Sequence, residues 1–163
     1  MKKIVFQGLV LAGTVMFLSA CKPDIEGEIG APRDVYKGMH GDWELTRFIQ
    51  QDPNNPVLEE RDLSEFYISD GVEPMKLNLN TDDQTYGVTI TQGKNFFGEG
   101  GTWDVDNREA PSEVYLYSAT DTVTLILGSM VLPYSEEMTL EYERSCSDGF
   151  KHSVYKFNFK RSE

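Results

Sequence analysis

Apolar and polar residues alternate along most of this chain. Met75, Leu77 and Leu79 are interleaved with Lys76, Asn78 and Asn80, and after the polar stretch Thr81-Asp82-Asp83-Gln84 the apolar positions resume at Tyr86, Val88 and Ile90. Successive side chains of a strand point to opposite faces, so the pattern predicts two half-buried strands joined as a hairpin. The same period places strands at Trp103 and Val105, at Val114 and Leu116, and at Val123, Leu125 and Leu127. It continues at Met138, Leu140 and Tyr142, and at Tyr155, Phe157 and Phe159. With a first strand from Trp43 to Gln50 the total is about eight, joined mostly by short turns.

Helical signals are few. Arg33 to Lys37, between Pro32 and Gly38, predicts one helical turn, and Val57 to Ser69 reads as an irregular or partly helical segment after the loop Gln51 to Pro56. The predicted fold class is therefore all-β: a single antiparallel up-and-down eight-stranded barrel with a short helical turn before the first strand. Closure removes the exposed edges that a flat sheet would offer for aggregation. In such a barrel alternate connections share an end, so 51–74, 91–100, 119–121 and 144–151 form one rim, the candidate mouth. The connections 81–84, 106–112 and 128–136 form the other.

The amino-terminal end follows different rules. Lys2 and Lys3 precede an apolar run from Ile4 to Leu18 that ends in Ser19-Ala20-Cys21. A basic start, a short apolar core and small residues before a cleavage point mark a secretory signal, and the run falls short of the ~20 apolar residues of a spanning helix. Leu18-Ser19-Ala20-Cys21 looks like a bacterial lipobox, which implies that Cys21 becomes the acylated first residue and anchors the protein to a membrane. Each buried methylene of an acyl chain contributes ~0.8 kcal/mol, ample for stable anchoring by two chains. The domains expected are 1–20 as signal peptide, 21–32 as lipid-anchored flexible tether and 33–163 as barrel.

Cleavage would leave 13 basic and 27 acidic residues, a net charge of −14. That sign argues against nucleic acid and against adhesion to anionic lipid head groups, which both require clustered Lys and Arg. It also leaves Cys146 as the sole free thiol, with no partner for an intramolecular disulfide. The acidic residues Asp24 and Glu26 after Cys21 resemble the export signal of Bacteroidota lipoproteins, implying the outer face of the outer membrane; a periplasm-facing anchor is the other reading.

Gly41-Asp42-Trp43 resembles the Gly-x-Trp start of lipocalins and related calycins. A longer resemblance runs through Gly101-Thr102-Trp103-Asp104-Val105-Asp106-Asn107, Glu113-Val114-Tyr115-Leu116, Thr139 to Cys146 and Tyr155 to Arg161. Together these look like the lipocalin-like domain of Bacteroidota lipoproteins, a family of unassigned activity. The resemblance implies that Trp43 plugs the closed end of the barrel, with Arg161 stacked across it as the floor pair.

Candidate chemistry is sparse. His40 and His152 are the two histidines, in no spacing that would set both on one metal, and Asp104-Val105-Asp106-Asn107 lacks the later Gly and Glu of a calcium loop. No metal or other cofactor is expected, and the chain is not expected to be an enzyme. Cys146 within one predicted connection and His152 just beside it permit a thiol next to a base, although nothing in the sequence orients the histidine.

Two binding features stand out instead. Tyr86, Trp103, Leu125, Tyr142, Tyr155 and Phe157 are candidate interior residues for a small apolar ligand, unless their bulk fills the barrel outright. Phe96-Phe97, flanked by Gly93, Gly98, Gly100 and Gly101, sit on a mouth connection. Two arrangements are open to them: both rings pack into the rim, or one folds inward while the other meets a ligand or partner. Two functions follow: non-enzymatic binding of a small apolar ligand, or an accessory subunit of an envelope complex docking through its barrel rim.

Overall fold

A computed structural model describes residues 34–55, 57–58, 60–146 and 149–162. The expected signal peptide, Cys21 and the tether lie outside the described residues. The elements are α1 (Val35–Gly38), β1 (Gly41–Gln51), β2 (Arg61–Asp62), a 3-10 turn (Ser64–Phe66), β3 (Lys76–Asn80), β4 (Thr85–Thr89) and β5 (Gly100–Val105). They continue with β6 (Glu113–Ser118), β7 (Thr122–Leu127), β8 (Glu137–Ser145) and β9 (Lys151–Arg161).

Neighbouring strands pair antiparallel in the order β1-β3-β4-β5-β6-β7-β8-β9, and β1 returns to β9, so eight strands close an up-and-down barrel. The two-residue β2 pairs with the far end of β1 at Ile49 and Gln50. The sequence predicts an irregular or partly helical segment here. It holds both that short strand and the 3-10 turn because Asp62 accepts from the amide and hydroxyl of Ser64, at 3.0 and 2.6 Å. These bonds, with Arg47 alongside, lower the Asp62 carboxyl to about 2.

β1 does not keep one phase. Trp43 and Leu45 point inward, then the register with β9 slips between Leu45 and Arg47, and Phe48 takes the next inward position. The slip is a bulge at Thr46, whose hydroxyl donates to the Asn158 carbonyl at 3.0 Å. An extra residue of this kind reverses the alternation and bends the strand.

The barrel is filled from both ends. At the floor, α1 is N-capped by Asp34, which accepts from the Lys37 amide at 2.9 Å, and Tyr36 stacks on Trp103 at 5.1 Å between ring centres. Gly38 lies against the 128–136 connection so closely that a Cβ there would meet the Val131 carbonyl oxygen at 2.2 Å. Only glycine permits that approach. The middle is a continuous cluster that includes Leu45, Leu77, Leu116, Leu140 and Phe159, all at most 1% exposed.

The 106–112 connection is closed by one carboxylate. Asp106 accepts from the amides of Glu113 and Ser112, each at 2.9 Å, and from the Ser112 hydroxyl at 2.7 Å. These donors hold its carboxyl well below the ordinary value of 3.8. A pKa depressed by folding contributes stability above the unfolded value, lost as pH falls below about 4 towards the depressed one. Asp106→Asn is therefore expected to melt below wild type at pH 7, and the gap should narrow as the pH drops from 4 to 2. Thermal melts across that range check it; a gap independent of pH would refute it.

Candidate functional site

The mouth is built around the connection from β4 to β5. Asn95 organises it: its side-chain oxygen accepts from the Phe97 amide and its side-chain nitrogen donates to the Gly98 carbonyl, both at 2.9 Å. Two phenols hold the same loop from beneath. Tyr67 donates to the Lys94 carbonyl at 2.6 Å and Tyr86 to the Phe97 carbonyl at 2.7 Å. Burial pushes the Tyr67 phenol up to about 12 and raises that of Tyr86, so both remain protonated donors at neutral pH. Gly93, at φ +89°, lies where a Cβ would strike the Tyr67 ring at 2.7 Å.

This clamp turns both adjacent aromatics inward. Phe97 is fully buried, 4.8 Å from Phe157 and 6.4 Å from Phe159 between ring centres. Phe96 is half-buried among Tyr155 at 5.2 Å, Tyr142 at 5.5 Å and Phe157 at 5.7 Å. Of the alternatives for Phe96 and Phe97, the packed arrangement is the one seen: Phe97 is buried and Phe96 stands half-buried over Tyr142 and Tyr155, so that together they form a stopper. Alternation fails here because the segment is a loop, and the Asn95 side chain bonds, not a pleat, set the direction of each ring.

The six interior candidates belong to the same packed cluster. Tyr86, Trp103, Leu125 and Phe157 are at most 4% exposed, and Tyr142 and Tyr155 are half-buried against them. They share one packed cluster with Phe96 and Phe97. Sequence reading missed Tyr67 and Phe48, which close the stopper's flank: their rings meet edge to face at 4.7 Å. Tyr67 lies in the irregular 57–69 segment, where no period marks it, but the broken alternation at Thr46-Arg47-Phe48 was a visible signal for Phe48.

Apolar surface appears elsewhere on the mouth. The 51–74 connection exposes Val57 at 90%, Leu58 at 58% and Phe66 at 54%. Beside it a cleft of about 320 Å³ is lined by Gln50, Gln51, Asp52, Leu58, Arg61, His152 and Ser153. At the adjoining β8–β9 hairpin the His152 Nε2 lies 2.9 Å from the Cys146 sulfur, and the Phe150 ring meets the imidazole edge to face at 5.4 Å. The pair is exposed.

At the floor Arg161 lies over Trp43, with the guanidinium carbon 4.3 Å from the ring centre. The indole is fully buried and donates to the Met39 carbonyl at 2.9 Å. Asp104 and Asp106 do not converge as ligands: Asp104 meets Arg108 at 3.6 Å, and Asp106 serves its own loop. Among the described residues no group of three or more His, Cys, Asp or Glu side chains is placed to hold a metal ion. No protein-family model matches the chain, and no curated protein matches it significantly.

Proposed function

We propose that this chain is a non-enzymatic docking module: an accessory subunit of a cell-envelope assembly that binds a protein partner through its mouth rim. The observation that carries the reading is the contrast between a filled interior and an uncovered rim. Four of the six interior candidates are at most 4% exposed and Phe97 is buried in the same cluster, whereas one connection displays Val57, Leu58 and Phe66 to solvent. Large apolar side chains displayed on one rim connection are what a docking surface requires. In this reading a lipid anchor at Cys21 holds the barrel at the outer membrane, with the cell surface as its setting, because the signal run, the lipobox and the acidic residues after it are all present in the sequence.

A small apolar ligand inside the barrel, the other function expected from sequence, requires Phe97 to leave its seat. Native mass spectrometry of the mature chain, purified from its own envelope in mild detergent, separates the two. The expected result is a bound protein, lost on combined Val57→Ser, Leu58→Ser and Phe66→Ser substitution without change in melting temperature. A retained small molecule, with the triple variant behaving as wild type, would overturn the docking reading.

A further inference from the structure

The barrel closes unevenly at one seam. β7 and β8 pair only at Ile126 with Glu141 and Leu127 with Leu140, followed at the floor by the Gly128 amide donating to the Thr139 carbonyl at 2.9 Å. Continuing that register would set Leu125 against Tyr142, Thr124 against Glu143 and Val123 against Arg144, yet among the described residues the ladder stops before them. Both strands run on towards the mouth, β7 paired with β6 as far as Thr122 and β8 paired with β9 through Arg144.

The direction of the backbone groups follows from parity. Gly128 bonds towards β8 and Leu127 bonds towards Ser112 at the start of β6. Backbone groups alternate sides along a strand, so Thr124 turns its N–H and carbonyl to the seam, as Glu143 does from the other side. The mouth end is finished by Asp121, whose carboxylate accepts from the Thr122 amide at 2.8 Å. Behind the seam lie Val123, Leu125, Tyr142 and Phe96, an apolar wall. In front of it the outward positions of β8 are Glu141 and Glu143, the latter already accepting from Lys151 Nζ at 2.7 Å, in a chain with 27 acidic and 15 basic residues.

We propose that this seam takes an added strand: an extended polypeptide segment with alternating apolar and basic residues, hydrogen-bonded to the backbones of Thr124 and Glu143. The assignment rests on the docking reading and names the chemistry of its partner. Backbone bonds supply the affinity of such an addition, and alternate side chains supply the choice. Apolar positions of the guest meet Val123 and Tyr142, and its basic positions meet Glu141 and, in exchange for Lys151, Glu143.

The test uses amide hydrogen exchange on the detergent-solubilised full chain, with synthetic capped (Val-Lys)4 peptide as probe. Capped (Val-Glu)4 and a (Val-Lys)4 peptide interrupted by a central proline are the controls. In the free protein Thr124 and Glu143 should exchange at least about tenfold faster than Leu125 and Tyr142, whose amides face β6 and β9. The Val-Lys peptide should slow both by about tenfold, and neither control should. Protection of Thr124 equal to that of Leu125 in the free protein overturns the seam. No slowing by the Val-Lys peptide, or equal slowing by a control, overturns the guest. Neither result touches the rim reading, which stands or falls on Val57, Leu58 and Phe66.

Discussion

Replacing Phe97 by alanine is expected to destabilise the barrel by ~3–5 kcal/mol and to open an apolar cavity inside it. The ring is fully buried and sits over Phe157 and Phe159, so its removal takes contacts from both. Whether a truncated site collapses decides where in that range the cost falls. Here the main chain is held in place by Tyr86 at the Phe97 carbonyl and by Asn95 at the Phe97 amide, and neither bond depends on the ring. The void should therefore persist, and a persistent apolar void stays dry and binds small apolar molecules. Urea unfolding gives the cost, and titration with benzene gives the second readout: uptake by the variant and none by wild type. Phe96→Ala should cost about half as much, since that ring is only half-buried against Tyr142 and Tyr155. A Phe97→Ala protein as stable as wild type would mean the ring is not the stopper of the barrel.

Those two rings also show where sequence reading stops. Strands were legible because alternation reports burial directly, and the consecutive hairpins left an up-and-down barrel as the simplest closure. The floor was legible for another reason: the resemblance carried by Gly41-Asp42-Trp43 implies an arginine across the tryptophan, and a closed barrel brings Arg161 to that end. The orientation of Phe97 was not legible, because it depends on an Asn95 side chain folding back on its own loop. Nor was the seam. Val123, Leu125 and Tyr142 keep their period of two past the point where β7 and β8 separate. Period reports which face is buried and carries no information on whether the neighbouring backbone is in reach. The approach of Cys146 to His152 needed the hairpin itself, in which the Cys146 amide donates to the Phe150 carbonyl at 3.0 Å and turns the chain back.

At the floor, Arg161→Ala is expected to cost about 3 kcal/mol: a buried hydrogen bond to a charged group contributes ~1.5–3 kcal/mol, and partial exposure of the guanidinium to water holds its three bonds well below their sum. Its Nη1 donates to the His40 carbonyl at 2.6 Å, its Nη2 to the Gly38 carbonyl at 2.7 Å and its Nε to the Ser135 carbonyl at 3.1 Å. Gly38 ends α1, where carbonyls lack intrahelical donors, and His40 lies just beyond the C-cap Met39. The same guanidinium covers the Trp43 ring, so one side chain ties together α1, the 128–136 connection and the first strand. Trp43→Ala should cost ~3–5 kcal/mol on its own. Because the two side chains touch, the double variant should cost less than the two single effects together, by ~1 kcal/mol. Arg161→Lys separates charge from shape: an ammonium keeps the charge but cannot span three carbonyls or lie flat on the indole, so it should recover less than half of the loss. Urea unfolding of the four proteins closes the cycle. Strict additivity, or full recovery by lysine, would mean that Arg161 acts on the floor through its charge alone and that Trp43 is held by packing without it.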